Sequence, residues 1–118
     1  MERDPRAHLA DILEAARNVQ EFTTGRDRDE YAADLILRSE VERQLEIVGE
    51  ALRRLRREDP TSAARIPDAE RIISLRHVLA HGYEMVDDDA VWAAITDDLP
   101  VLISRASTLL AELDAASR

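Results

Sequence analysis

The chain has no cysteine, so disulfides and thiolate metal sites are closed to it, and a reducing cytoplasm is the expected setting. It also has no lysine. All 16 basic residues are arginine, set against 25 aspartates and glutamates, for a formal net charge of -9. Such a chain is repelled by RNA and DNA at long range, because phosphate contacts supply much of nucleic-acid affinity. Any nucleic-acid function must therefore rest on local arginine clusters. Aromatic residues are few, namely Phe22, Tyr31, Tyr83 and Trp92, which argues against base recognition by rows of stacked rings. No apolar run is long enough to span a bilayer. The stretch MERDPRAHLADILEAARNVQ is charged throughout and lacks the apolar centre of a signal peptide. Cytoplasmic localisation without membrane contact is the expectation.

The length of 118 residues suits one domain spanning residues 1–118. A chain this short buries a modest share of its surface, and pairing with a second copy is an easy way to bury more. Apolar residues recur at helical spacing almost everywhere. Leu9, Ile12, Leu13, Ala16 and Val19 mark a first helix, started by Asp4 and Pro5 and closed by Gly25. A second, long helix is expected from about Asp27 to Glu58. Its stripe of Val41, Leu45, Val48, Leu52 and Leu55 makes a seam suited to antiparallel packing or to a dimer contact. Gly49 within it costs about 1 kcal/mol relative to alanine, a cost that close approach by another helix would offset.

EDPTSAARIPDAE is the break between the two halves, with a short helical turn expected at Thr61 to Ala64. A third helix begins near Asp68, carries Ile72, Ile73, Leu75, Val78 and Leu79, and is expected to stop at Gly82. The fourth starts in DDDAVW and runs through Val91, Trp92, Ile95, Leu99, Leu102, Ile103, Leu109, Leu110 and Leu113, with Pro100 bending it or resetting its start. There is no strand-like alternation. The expected fold is all-α, an antiparallel bundle of about four main helices.

Chemistry concentrates in SLRHVLAHGYEMVDDDAVW, which places Arg76, His77, His81 and Tyr83 within eight residues. Histidine can give or take a proton near neutral pH. Arginine offers a planar, permanently charged fork that matches phosphate. Together they suffice for RNA cleavage without a metal. On an undistorted helix Arg76 and His81 point about 140° apart with a rise of roughly 7.5 Å. They converge only if Gly82 unwinds the last turn or if two copies meet at a two-fold axis. By spacing alone, positive groups at a helix C-terminus also serve the helix dipole. His77 and His81 stand at i and i+4, which is metal-ligand spacing. No acidic residue completes a catalytic metal pattern between them, and Asp87, Asp88 and Asp89 have the simpler task of capping the next helix.

Two other groups frame the cluster. Arg53, Arg54, Arg56 and Arg57 end the second helix, either as a solvated, dipole-matched terminus or as a patch that contacts RNA phosphates. Glu42, Glu46 and Glu50 form an acidic row on the same helix, either a solvated face or a set from which one or more orient the arginine or histidine of the third helix.

RHVLAHGY resembles the Arg-x4-His-x-Tyr motif of the HepT-like branch of the HEPN superfamily. The flanking SEVERQLEIVGEALRRL is similar to that family's long second helix. IPDAERIISLRHVLAHGYEMVDDDAVWAAITDDLPVL is similar to its third helix, turn and fourth helix. The resemblance covers nearly the whole chain and is weakest in the first twenty-five residues. It implies a helical bundle that forms a homodimer, with the motif residues of both copies lining one cleft, and with higher assembly with a partner open. It also implies metal-independent ribonuclease activity, with no cofactor for cleavage, in the toxin of a type VII-like toxin–antitoxin pair. The implied partner is a minimal nucleotidyltransferase antitoxin, which uses ATP to transfer AMP to the motif tyrosine.

Carried over by position, Arg76 and His81 become the catalytic pair and Tyr83 the site of AMP transfer. His77 departs from the asparagine common in the family at that position; it and Glu42 are candidate supporting residues. The rival expectation is a non-catalytic helical module that binds and regulates a nucleotidyltransferase.

Overall fold

A computed structural model of the chain describes residues 3–80 and 87–117, and of residues 68 and 76–80 the backbone alone. Every regular element among the described residues is helical. Helix α1 spans Pro5–Thr23. Asp4 caps it by accepting from the Arg6 N–H at 2.9 Å, with proline in the first turn, where its missing N–H costs nothing. Beyond its end Gly25 takes φ +77°, a left-handed conformation that glycine adopts without strain. Leu9, Ile12, Ala16 and Val19 are fully buried and Leu13 nearly so. His8 is buried in the same face, its Nε2 3.2 Å from Glu58 Oε2 and its Nδ1 without a hydrogen-bond partner among the described residues.

The single helix expected over 27–58 is two. Helix α2, Arg28–Ala33, opens with a capping box between Asp27 and Glu30. Helix α3, Leu35–Glu58, follows directly. Asp34 stands between them with extended φ −107° and ψ 99°. Its N–H still bonds the Tyr31 carbonyl, while its carboxylate accepts from the Leu37 N–H at 3.0 Å. One residue thus ends α2 and caps α3. Aspartate can do so because its short side chain offers the backbone an alternative to the continuing helix.

Helix α3 is the spine of the molecule. Helix α1 runs antiparallel to it, with Arg3 N–H donating to Glu58 at 2.9 Å near one end and Asn18 donating to Gln44 at 3.3 Å near the other. Val41, Leu45, Val48, Leu52 and Leu55 are all buried within the one chain, so the seam serves intramolecular packing. Gly49 is buried with them. Asp59 caps the short helix α4, Pro60–Ala63, one residue earlier than expected because proline fits a first turn. A 3₁₀ turn, Pro67–Ala69, leads into helix α5, Glu70–Ala80. The stop expected at Gly82 lies outside the described residues.

Asp87 opens helix α6, Asp88–Ala93, accepting from the N–H groups of Asp89 at 2.9 Å and Ala90 at 3.3 Å. The other two aspartates hold arginines instead: Asp88 lies 3.9 Å from Arg38, and Asp89 accepts from Arg28 at 2.5 Å. A π-helical turn, Ala94–Asp98, joins α6 to helix α7, Leu99–Ala116. The reset expected at Pro100 takes this form. Proline has no N–H for the ordinary bond four residues back, and a widened turn just before it relieves the mismatch. Helix α7 lies against α1, with Arg17 donating to Ser107 and Arg6 to Asp114. Trp92 is half-buried, its ring 5.6 Å from that of the fully buried Tyr31.

Candidate functional site

Arg76 and His77 lie on α5, and their side chains are outside the described residues, as are His81 and Tyr83 altogether. What the structure supplies is the scaffold around them. Helix α5 runs antiparallel beside α3. At its start Glu70 accepts a hydrogen bond from Arg56 of α3. Where the chain re-enters at α6, Asp88 pairs with Arg38, near the other end of α3. Arg38 and Arg56 are about 27 Å apart along α3. The stretch carrying the motif therefore begins and ends on two anchors of the same helix. Arg76 occupies the next turn of α5 after Ile72, which is only 1% exposed. The two positions share a face to within about 40°.

On α3 itself, Arg38, Glu42, Gly49, Arg53 and Arg56 fall within about 60° of one another, beside the buried stripe. The Arg56–Glu70 pair identifies this as the flank facing α5. Glu42, singled out from sequence as a possible support, is thus placed on the side of α3 that borders the motif helix. It is half-buried between Arg38, Asp88 and Glu46. Burial pushes its carboxyl above the ordinary range; the Arg38 guanidinium opposes the shift, and the Asp88 and Glu46 carboxylates add to it. Nearby, the Tyr31 hydroxyl and Arg38 Nε are buried without hydrogen-bond partners among the described residues. Burial, with Glu42 and Asp88, also raises the Tyr31 phenol.

A pH prediction follows from this carboxyl. A carboxyl raised in the folded state favours folding while it is protonated and loses that contribution as pH rises through its folded value. Glu42→Gln is therefore expected to raise the melting temperature at pH 7, by the equivalent of less than about 1 kcal/mol, since solvent screens a half-buried charge. The gain should vanish as pH falls through the ordinary glutamate range. The capping carboxylates Asp34 and Asp59 work in the opposite sense. Backbone N–H donation to the first and Ser62 hydrogen bonds to the second hold them low, so their contributions are lost in acid. Asp4 is pulled down to about 2 by its hydrogen bonds with Arg6. Thermal melts of both proteins between pH 3 and 7 check the sign. A lower melting temperature for Glu42→Gln at pH 7 would show the charge to be net stabilising.

The four arginines closing α3 are not bare cations. Arg53 and Arg54 both donate to Glu50, at 2.8 and 2.9 Å. Arg56 is held by Glu70, and Arg57 lies 3.9 Å from Glu58. They also face different ways. Arg56 and Glu70 border a cavity of about 340 Å³ under α4, lined mainly by Leu52, Leu55, Ile66 and Ile73. Arg54 lines a groove with Asp11 of α1. Sequence spacing showed the run and the nearby Glu50 and Glu58, but not Glu70, 14 residues on, which fixes the flank that Arg56 faces.

No helix among the described residues is long and apolar enough to cross a membrane. Comparison with known proteins gives the chain a family. The sequence pattern described as Ribonuclease HepT-like matches residues 12–109, from the third turn of α1 to the middle third of α7 and across the whole candidate motif. A protein of Methanocaldococcus jannaschii, provisionally named an RNase, is 37% identical over 83% of this chain and 89% of its own length. A second protein of that organism, named as a gamma-glutamylcyclotransferase and provisional RNase, is 30% identical over 97% of this chain; the chain spans 51% of it. A protein of Thermococcus cleftensis designated a probable ribonuclease HepT is 31% identical over 86% of this chain and 92% of its own. No solved structure matches. The chain belongs to the Ribonuclease HepT-like family.

Proposed function

We propose that the protein is a metal-independent endoribonuclease that acts as the toxin of a type VII-like toxin–antitoxin pair. The family match across Arg76, His77, His81 and Tyr83 carries this reading. A ribose 2′-hydroxyl attacks the adjacent phosphorus, and the bond to the 5′-oxygen breaks. The products are a 2′,3′-cyclic phosphate and a 5′-hydroxyl. His81 takes the proton from the nucleophile or returns it to the leaving oxygen, and Arg76 stabilises the charge that builds on the phosphate oxygens. His77 and Glu42 orient this pair. A second copy contributes its own motif to the same cleft, which removes the need for Arg76 and His81 of one helix to point the same way.

Neutralisation is by a partner nucleotidyltransferase that moves AMP from ATP to the Tyr83 hydroxyl, releasing pyrophosphate. The added phosphate brings a fixed negative charge and bulk beside the path of the RNA. Incubation with a family nucleotidyltransferase and ATP should add the mass of one AMP to the peptide holding Tyr83. RNA cleavage in EDTA should be lost in step with that gain. Cleavage that persists on fully modified protein would overturn the regulatory half of the proposal. The second reading, a non-catalytic module that binds and regulates a nucleotidyltransferase, draws on the net charge of -9. It predicts that unmodified protein binds the partner but cuts no RNA.

A further inference from the structure

The arginine run divides by helical phase. Arg56 is fixed on the flank of α3 that faces α5 by its pair with Glu70. Arg53, one turn earlier, is about 60° away on the same side, and Arg54 is turned a further 100° or so from Arg53. Arg54 accordingly meets Asp11 of α1 across a different groove. In the antiparallel register set by Arg56 and Glu70, Arg76 lies about 9 Å further along α5. Both flank arginines are partly exposed, at 42% for Arg53 and 48% for Arg56. Each is held by a carboxylate, the group that best mimics a phosphate to a guanidinium. Carboxylates within reach also keep an acidic protein from presenting bare cations.

We propose that Arg53 and Arg56, and not Arg54, form a two-cation track for the RNA backbone next to the cleavage centre, with Glu50 and Glu70 occupying those guanidiniums until RNA phosphates displace them. This rests on the ribonuclease reading above. The track makes the enzyme selective for strands that extend beyond the scissile phosphate. It also makes RNA binding a competition between carboxylate and phosphate for the same two forks.

The test is equilibrium binding of a fluorescein-labelled oligouridylate decamer over a range of salt, with cleavage of the decamer and of a dinucleoside monophosphate in parallel. The double variant Arg53→Gln with Arg56→Gln should bind the decamer at least ten-fold more weakly. Its salt slope should be shallower by up to about 1.4, from two phosphate contacts on a single strand at about 0.7 each. The same variant should lose far less of its cleavage of the dinucleoside monophosphate, which is too short to reach the track, than of the decamer. The double lysine variant should restore most of the slope, since charge is kept while the fork is lost. Glu70→Gln should tighten decamer binding, and Arg54→Gln should leave it within two-fold. Parental affinity in the double glutamine variant, or an equal loss in Arg54→Gln, would overturn the track. A parent protein that binds with the predicted slope yet cuts neither substrate would instead overturn the ribonuclease reading.

Discussion

Replacing His81 with alanine is expected to slow RNA cleavage by at least about 100-fold, and by as much as about 10,000-fold if the imidazole carries the proton in the rate-limiting step. Arg76→Ala should cost a comparable factor, because a charge-stabilising donor at a developing oxyanion is typically worth about 10² to 10³ in rate. The two variants should differ in character. Arg76→Lys keeps a positive charge but loses the planar fork, so it should fall between parent and alanine. No lysine should rescue His81. Single-turnover cleavage of a labelled RNA in EDTA, with product ends examined for the 2′,3′-cyclic phosphate, measures both. Helical content checked on each variant separates a missing group from a missing fold. Parental cleavage by a folded His81→Ala protein would remove the proposed chemistry.

Leu45→Ala should cost about 2 to 5 kcal/mol in unfolding free energy, the usual range for truncating a large buried aliphatic side chain. Domains of this kind have only about 5 to 15 kcal/mol in hand, so the variant approaches the limit of folding at 37 °C. The position is fully buried on α3, the helix against which both α1 and α5 pack. A void at such a site is filled only in part by relaxation of the surrounding structure. Leu45→Met, which conserves volume, should cost less than about 1.5 kcal/mol. Urea unfolding at fixed pH and protein concentration gives both numbers. A loss below 1 kcal/mol for the alanine variant would mean that the helices close over the site.

Much of this architecture is legible before any coordinates. The apolar stripes of α1 and α3 have a 3.6-residue period, and every member of both is buried. Asp4 with Pro5, Gly25 and Asp87 before α6 are local signals that act within one turn of themselves. Asp34 was not legible, because helical spacing of apolar residues continues across it. An aspartate in the middle of a helix pattern reads as a solvated position until its carboxylate is seen on the Leu37 N–H. Buried His8 gave no sequence signal beyond falling in the apolar face of α1. At the candidate site, the motif names Arg76, His81 and Tyr83, but spacing alone points the first two apart. The pairs that tie this region together, Arg56 with Glu70 and Arg38 with Asp88, join residues 14 and 50 positions apart in sequence. No local pattern encodes such contacts. They exist because helices that pack antiparallel bring distant residues level with one another.

Those two pairs have a consequence for how the chain can change in length. The helix between Arg38 and Arg56 acts as a ruler: both ends of the motif-bearing stretch are measured against it. One inserted residue would turn everything beyond it by about 100° and lift it by about 1.5 Å. Glu70 would then meet a different face of α3, while Asp88 stayed in place. Insertions and deletions are therefore expected to be tolerated best at joints outside that span, such as residues 24–27 and 64–66. The spacing between the two anchors is thereby a fixed length of the fold.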